Sequence, residues 1–207
     1  MIYESRLDNK PISIDVKSDI IYGILLSGGL DSAVLLYLFL NACQQQEIEP
    51  VIRPFTIAKT DGSYLYVSNL IDWMNKRFNV QLPKYTLVGD PTLHHRAQSA
   101  SAVQDIFNKF PKIDYIFIGI NQNPPENIGT EGPVRDTKSN NPRVLFPFVE
   151  LYKTHIVDLI YEHDLQELLD ITHSCTEQTI GRCMQCFQCK ERAWAFKQLN
   201  QTDTGSR

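Results

Sequence analysis

The chain has 207 residues, of which 43% are hydrophobic and 21% are charged, which is ordinary for a globular protein with one sizeable domain and room for a small appendage. A formal charge of −4 excludes a general electrostatic attraction to nucleic acid or to acidic membranes. The first ten residues lack the basic start and apolar core of a secretory signal, and no apolar run is long enough to span a membrane, so we expect a cytoplasmic protein.

Apolar runs of strand length alternate with helix-length segments along the first part of the chain. After a predicted hairpin formed by residues 1–7 and 11–16, strands are predicted over 20–26, 51–58, 84–89 and 114–120, separated by helices over 31–42, 63–78 and 96–110. This alternation predicts a parallel sheet with helices on both faces, which is a three-layer, Rossmann-like α/β fold. Ligands bind such sheets outside the carboxyl ends of the strands.

A long polar connection and two further helices follow the predicted sheet. Residues 121–143 contain four prolines and two glycines and are too long for an idle connection, so we predict a substrate loop, with a disordered segment as the alternative. Helices are predicted over 153–165 and 189–199, and the tail over 201–207 is expected to be disordered.

The junction between the first predicted strand and its helix carries the string S-G-G-x-D-S over residues 27–32. Backbone N–H groups at a helix N-terminus have no intrahelical acceptor, and together with the helix dipole they favour an anion. Two glycines let the backbone approach phosphate oxygens closely, and two serine hydroxyls add donors. The lysine of a Walker loop is absent, so this would be a different kind of phosphate loop. A plain turn capped by Asp31 is the alternative interpretation.

Four of the five cysteines follow the pattern C-x7-C-x2-C-x2-C in the last part of the sequence. They are Cys175, Cys183, Cys186 and Cys189. Two-residue gaps can place successive thiolates on one ion, and four thiolates close a tetrahedral zinc site with no position open for a substrate. We therefore predict structural Zn²⁺, with an iron–sulfur cluster as the main alternative. Cys43 lies alone in an apolar helix and is expected to be an inert buried thiol.

The loop over residues 27–32 resembles the pyrophosphate loop (PP-loop) of the N-type ATP pyrophosphatases, which include NAD synthetase, asparagine and GMP synthetases, and tRNA thiolases. With the cysteine cluster added, the chain resembles the 7-cyano-7-deazaguanine synthase family of the queuosine pathway. In that family the cluster is followed by R-x-x-A-F, and residues 192–196 here read R-A-W-A-F. The resemblance covers roughly residues 20–197 and implies an adenine nucleotide alpha hydrolase-like fold.

The resemblance also implies an activity. It is the ATP-dependent conversion of 7-carboxy-7-deazaguanine and ammonia into 7-cyano-7-deazaguanine, through an acyl-adenylate and an amide, with release of AMP and pyrophosphate. ATP, Mg²⁺ and structural Zn²⁺ are the implied cofactors, and a homodimer that acts on small molecules, with no nucleic acid and no membrane partner, is expected. The alternatives are a sibling ligase that stops at the amide or adenylates another acid, a tRNA thiolase, and a non-catalytic nucleotide-binding module.

The same resemblance divides the chain and assigns its site residues. It predicts a PP-loop ATP-binding domain over residues 1–150 and a helical zinc-binding segment over 151–207 that packs on it. The predicted catalytic residues are Ser27, Asp31 and Lys153, of which the lysine matches one that approaches the ATP phosphates and Asp31 would either orient the loop or hold Mg²⁺. The predicted nucleotide-binding residues are Ser27, Gly28, Gly29, Leu30, Asp31, Ser32 and Gly119. The predicted substrate-binding residues, in segments that depart from the family pattern, are Arg96, Asn121, Glu126, Arg135 and Asp136.

Overall fold

The structure is a computed structural model that describes residues 1–135 and 138–205, with His95 and Arg96 described only in their backbone. An antiparallel hairpin of β1 (Ile2–Glu4) and β2 (Pro11–Ser13) precedes the main sheet, as predicted. The main sheet consists of β3 (Tyr22–Leu25), β4 (Ile52–Thr56), β5 (Thr86–Leu87), β6 (Tyr115–Ile118) and β7 (Val144–Leu145). All its strands are parallel, and their order across the sheet is β5-β4-β3-β6-β7.

Six α-helices accompany the sheet in the described part of the chain. They are α1 (Leu30–Gln45), α2 (Val67–Phe78), α3 (His95–Lys109), α4 (Lys153–Glu162), α5 (Leu168–Ile171) and α6 (Phe187–Gln198). Along β6, Phe117 belongs to the core under α1, whereas its neighbours Ile116 and Ile118 belong to a second core that includes Ala102 and Ile106 of α3. Both faces of the sheet are therefore covered, and the predicted three-layer α/β fold is confirmed.

Helix α1 is the central helix of the larger core. Every residue from Ser32 to Cys43 is buried, because the sheet lies on one side of the helix and α2, α4 and α5 contact it elsewhere. The N-terminal hairpin also reaches it, since the hydroxyl of Tyr3 donates to the carbonyl of Leu38 at 3.0 Å. Burial raises the pKa of the Cys43 thiol to about 12, which keeps this sulfur in its unreactive, protonated form.

The C-terminal segment packs against the sheet domain. Leu26 at the end of β3, Ile156 in α4 and Phe196 in α6 belong to one hydrophobic cluster. The hairpin also packs on α4, where Arg6 forms a 2.7 Å ion pair with Asp158. Residues on both sides of position 150 thus share one core, and the predicted division of the chain at that position remains a prediction.

Several elements differ from the sequence predictions because tertiary contacts decide their ends. The helix predicted over 63–78 begins as a 3₁₀ turn at Ser63–Tyr66, and the strand predicted over 84–89 pairs only at its centre. The short elements β7 and α5 were not predicted, since two to four residues carry no periodicity. The tail was expected to be disordered, but Asp203 accepts hydrogen bonds from Arg192 and Gly205 is buried, so this expectation is wrong up to residue 205.

Within the described ranges, none of the helices has both the length and the apolar character that a membrane crossing requires.

Candidate active site and metal centre

A cleft of about 250 Å³ opens at the carboxyl ends of β3, β4 and β6. This is the edge at which parallel α/β sheets bind ligands. Residues from distant parts of the chain meet there, and those that carry the chemistry include Ser27, Asp31, Asn121, Arg135, Lys153 and Glu191. The predicted phosphate loop, the predicted catalytic lysine and part of the predicted substrate loop therefore all line this cleft.

The loop between β3 and α1 has the shape of an anion-binding turn. Gly28 has a φ of +78°, and a Cβ at this position would lie 2.0 Å from the carbonyl oxygen of Ser63, so only glycine fits. The hydroxyl of Ser32 donates to the carbonyl of Gly29 at 3.1 Å and accepts from the backbone N–H of Ser27 at 3.1 Å. These bonds hold the loop in a defined, strongly curved conformation.

The N-terminus of α1 is not capped by a side chain. Its N-cap residue is Gly29, and no side chain among the described residues forms a capping hydrogen bond there, so the alternative interpretation of a plain turn capped by Asp31 is wrong. The first N–H groups of the helix consequently lack a side-chain acceptor and face the cleft end of the sheet. Gly119 lets the end of β6 approach this turn, because a Cβ there would lie 3.2 Å from the backbone of Asp31.

Two of the predicted catalytic residues are in direct contact. Lys153 is the first residue of α4, its side chain is only 7% exposed, and its Nζ donates to Oδ2 of Asp31. The other carboxylate oxygen of Asp31 accepts from the Nδ2 of Asn121 at 3.4 Å. The start of α1, the start of α4 and the end of β6 are thus joined by polar side chains at one point.

Glu191 on α6 was not predicted, yet it lies at the centre of the charged groups in the cleft. Its side chain is 2% exposed, Oε1 accepts from Nη2 of Arg135 at 2.7 Å, and Oε2 lies 3.7 Å from Nζ of Lys153. Burial raises the pKa of the Glu191 carboxyl, and the two cations oppose this shift. A weak signal existed in the sequence, since Glu191 is four residues from both Phe187 and Ala195, which are buried on the same side of α6.

The first part of the predicted substrate loop is ordered against α6. The Nη1 of Arg135 donates to the backbone carbonyls of Asn121 at 2.9 Å and Gln122 at 3.1 Å, so the guanidinium closes the base of the loop. Farther out, the Nζ of Lys190 on α6 donates to the carbonyl of Gly129 at 2.8 Å. The two ends of this segment, residues 121 and 133–135, line the cleft, and its contacts with α6 mean that the disordered alternative does not apply to residues 121–135.

Only some of the five predicted substrate-binding residues are found in the cleft. Asn121 and Arg135 line the cleft. Glu126 is exposed outside the cleft lining and accepts a hydrogen bond from the Nε2 of Gln198 at 2.9 Å, so its position gives no support for a substrate contact. The side chain of Arg96 and the whole of Asp136 lie outside the described residues.

The four clustered cysteines form a group that can hold a metal ion. Their sulfur atoms all lie within 4.8 Å of one another. In a tetrahedral site with metal–sulfur bonds of about 2.3 Å, neighbouring sulfurs are about 3.8 Å apart, so the observed cluster fits such an ion. The backbone N–H of Cys186 donates to the sulfur of Cys183 at 3.2 Å, and that of Cys183 donates to the sulfur of Cys175 at 3.4 Å. Such N–H groups stabilise thiolates, which are the form that binds metals.

The cysteine segment is attached directly to the phosphate loop. The backbone N–H of His173 donates to the carbonyl of Gly28 at 2.9 Å, and its ring stacks on Tyr66 with ring centroids 4.8 Å apart. Behind the cluster, the fully buried Arg192 donates to both oxygens of Asp203, at 2.7 and 2.9 Å. The metal centre and the phosphate loop therefore belong to one packed unit.

A parallel α/β sheet with an S-G-G-x-D-S turn at its ligand-binding edge is the arrangement that the resemblance to the PP-loop class implies. The family model of "Queuosine biosynthesis protein QueC" matches residues 102–200, which include Lys153 and the four cysteines. The match spans just under half of the chain and confirms the predicted resemblance to this family over that part. It supports an ATP-using, nucleotide-binding role of the synthase kind.

Two solved structures are similar to the chain. The FMN adenylyltransferase of Candida glabrata, in complex with FMN and an ATP analogue, is 22% identical with a TM-score of 0.44, and the match covers 69% of this chain and 49% of that chain. The U34-tRNA thiolase NcsA of Methanococcus maripaludis, with its 4Fe-4S cluster, is 15% identical with a TM-score of 0.45, and the match covers 89% of this chain and 66% of that chain. The chain thus spans about half the length of the first and 66% of the second. No curated protein matches the sequence.

Proposed function

We propose that the chain uses ATP to activate a carboxylate, releases pyrophosphate, and passes the acyl group to ammonia. The observation that carries this proposal is the position of the uncapped phosphate loop beside the buried Lys153, which is paired with Asp31. The loop offers N–H donors to a leaving pyrophosphate, and the lysine offers a positive charge next to them. Both lie at the edge of the sheet where a nucleotide can enter.

The reaction sequence follows from the family relationship and starts with 7-carboxy-7-deazaguanine. A carboxylate oxygen attacks the α-phosphorus of ATP, and the bond to the bridging oxygen breaks, so pyrophosphate leaves with the electron pair. Ammonia attacks the acyl carbon, AMP leaves, and loss of a proton gives the amide. A second ATP adenylates the amide oxygen, with release of a second pyrophosphate and loss of one N–H proton. Departure of AMP with loss of the other N–H proton then gives the nitrile.

The protein residues act in this scheme by positioning and by charge stabilisation. The hydroxyl of Ser27 and the first N–H groups of α1 bind the pyrophosphate oxygens, and Ser32, whose hydroxyl donates to the carbonyl of Gly29, keeps the loop in shape. Lys153 donates to the polyphosphate as negative charge develops on the leaving group. No side chain forms a covalent bond with the substrate, so most of the rate comes from alignment and from preorganised donors.

Asp31 is the residue we propose for holding Mg²⁺. Its side chain is 22% exposed and faces the cleft, and carboxylate oxygens are the ligands that Mg²⁺ prefers. When bound, the ion would neutralise part of the charge on the phosphates. Asp31 would then exchange its contact with Lys153 for the ion, which frees the lysine for the phosphates.

We propose that the metal held by the four cysteines is Zn²⁺ with a structural role. Four thiolates that lie within 4.8 Å of one another can surround a single ion, whereas an iron–sulfur cluster would spread them farther apart, because it distributes the four thiolates over two or four irons. A complete set of protein ligands leaves no position for a substrate. Measurement of one zinc and no iron per chain in protein purified without oxygen would support this assignment.

A sibling ligase is the second candidate, because the segments expected to bind the acceptor depart from the family pattern. Such an enzyme would stop at the amide or adenylate another acid. A tRNA thiolase is disfavoured, since the clustered cysteines are suited to a metal and Cys43 is buried with a raised pKa. We further propose a cytoplasmic homodimer that uses free ammonia, on the basis of the family resemblance and of the net charge of −4.

The product mass tests the proposal. Zinc-loaded protein is incubated with 7-carboxy-7-deazaguanine, an ammonium salt, ATP and Mg²⁺, and the products are identified by mass spectrometry. The proposal predicts the nitrile together with AMP and pyrophosphate. An amide without nitrile selects the second candidate, and formation of ADP and orthophosphate contradicts both.

A further inference from the structure

Lys59 is a cleft residue to which no motif of the sequence assigns a role. It follows β4, is half-buried, and lines the main cleft. It also lines a narrower cavity of about 170 Å³ between the ends of β3, β4 and β6. The two cavities share Ser27, Ser99 and Gly119 as further walls, so Lys59 lies where they meet.

One cavity has apolar walls and the other carries phosphate-binding groups, which matches the base and the polyphosphate at the two ends of ATP. The narrow cavity has apolar walls that include Leu25, Ile57 and Ile118, which suit the flat face of a base. The main cleft carries the phosphate loop and Lys153, which suit pyrophosphate. In ATP the α-phosphate lies between these two ends, and the junction of the cavities is the corresponding place in the protein.

Lys59 also differs from the other cations of the cleft in its ion pairing. Lys153 is paired with Asp31, and Arg135 is paired with Glu191. Lys59 forms no salt bridge with any carboxylate of residues 1–135 and 138–205, and its neighbour Asp61 instead accepts from the backbone N–H of Ser63 at 2.9 Å. A phosphate can therefore bind Lys59 without breaking an existing ion pair.

The backbone holds Lys59 at a fixed place relative to the phosphate loop. The carbonyl of Lys59 accepts from the N–H of Gly62 at 3.1 Å, which closes the turn after β4. The next residue, Ser63, packs its carbonyl against Gly28 so closely that no Cβ fits between them. The turn that carries Lys59 is consequently in direct contact with the phosphate loop.

We propose that Lys59 is a catalytic residue that binds the α-phosphate of the nucleotide. This inference rests on the proposed function and adds to it the group that touches the phosphorus under attack. Negative charge grows on the non-bridging oxygens of that phosphate when the carboxylate attacks, and the ammonium of Lys59 stabilises it. Lys153 acts on the leaving pyrophosphate, so the two lysines serve different parts of ATP.

Binding of AMP and of pyrophosphate, measured separately by calorimetry, tests this division without any turnover. Lys59→Met should weaken AMP binding by about tenfold or more and leave pyrophosphate binding within about twofold. Lys153→Met should show the opposite pattern. Lys59→Arg should restore AMP affinity. Lys76→Met, which removes an exposed lysine charge from α2, is the matched control and should leave the affinity for both ligands unchanged.

Three results would overturn the inference. They are unchanged AMP affinity in Lys59→Met, equal losses for both ligands in that variant, and a wild-type protein that binds neither ligand. If the variants show the predicted binding pattern but the wild type yields only ADP and orthophosphate, the proposed function and the catalytic role of Lys59 are overturned, and only its assignment to α-phosphate binding stands. Thermal melts that match wild type exclude misfolding as the cause of a loss.

Discussion

The carboxylate of Glu191 lies 3.7 Å from the ammonium of Lys153 and belongs to the helix whose first turn carries the metal-binding Cys189. The other oxygen of the same carboxylate binds Arg135 in the wall of the cleft. One buried side chain thus connects the metal centre, the loop over 121–135 and the predicted catalytic lysine. Changes at the metal centre should therefore alter the geometry of the cleft proposed to bind ATP.

Removal of the Glu191 carboxylate should destabilise the fold strongly. Glu191→Ala leaves Arg135 and Lys153 without their buried partner, and loss of one member of a buried ion pair typically costs about 3 kcal/mol. Urea unfolding of the metal-loaded protein measures the change. Glu167→Ala, which removes an exposed carboxylate that accepts a hydrogen bond from Trp73, is the control and should have a much smaller effect. Equal effects of the two variants would show that the buried ion pairs are unimportant.

Lys153 should be essential for turnover. Loss of one preorganised donor to a developing charge typically costs about 3 kcal/mol of barrier, so Lys153→Ala should reduce kcat at least about a hundredfold. Steady-state rates of pyrophosphate release measure this, with Lys112→Ala on an exposed turn as the control. Near-normal kcat in Lys153→Ala would remove this lysine from the mechanism.

Metal removal should loosen the phosphate loop as well as the cysteine segment. The coupling path is the 2.9 Å hydrogen bond from the N–H of His173 to the carbonyl of Gly28. Hydrogen exchange after chelation should become at least about tenfold faster over residues 173–190 and measurably faster over 27–32, because metal binding and local folding are linked. The hairpin strands β1 and β2 serve as an internal reference. Unchanged exchange over 27–32 would mean that the two sites are independent.

Alanine at Gly28 should destroy the phosphate site. The substitution combines a φ of +78° with a Cβ that would lie 2.0 Å from a backbone oxygen, so the loop has to move. Gly129→Ala is the matched control, because Gly129 has a φ of +80° but its Cβ would lie 3.6 Å from the nearest atom, on a flexible lysine. The control should cost about 1 kcal/mol of stability and leave pyrophosphate affinity intact. Gly28→Ala should lower that affinity by at least about tenfold, and equal affinities in the two variants would contradict this account of the loop.

The parts of the site that the sequence predicts are those coded by a continuous string. The loop over 27–32 follows an apolar strand directly, so its position at the sheet edge follows from local order alone. The cysteine cluster can likewise be predicted without knowledge of the fold, because the short spacing of the four residues places their sulfurs close together. For both features the chemistry needs only neighbours in sequence.

The parts that the sequence does not predict depend on which distant elements meet. Glu191 gains its role because α6 packs beside α4, and Lys59 because the turn after β4 packs on the phosphate loop. Glu126 lies outside the cleft for the same kind of reason, since hydrogen bonds to α6 decide the path of its loop. The helical spacing around Glu191 indicated burial, but nothing in the sequence indicated its partners.

Transfer of an isotope label tests the central claim most directly. The acid is prepared with oxygen-18 in both carboxylate positions and is incubated with unlabelled ATP, Mg²⁺ and ammonia. If a carboxylate oxygen attacks the α-phosphorus, each AMP released should carry one oxygen-18 and the pyrophosphate should carry none. AMP without label, or nucleotide recovered only as ADP, would contradict the account.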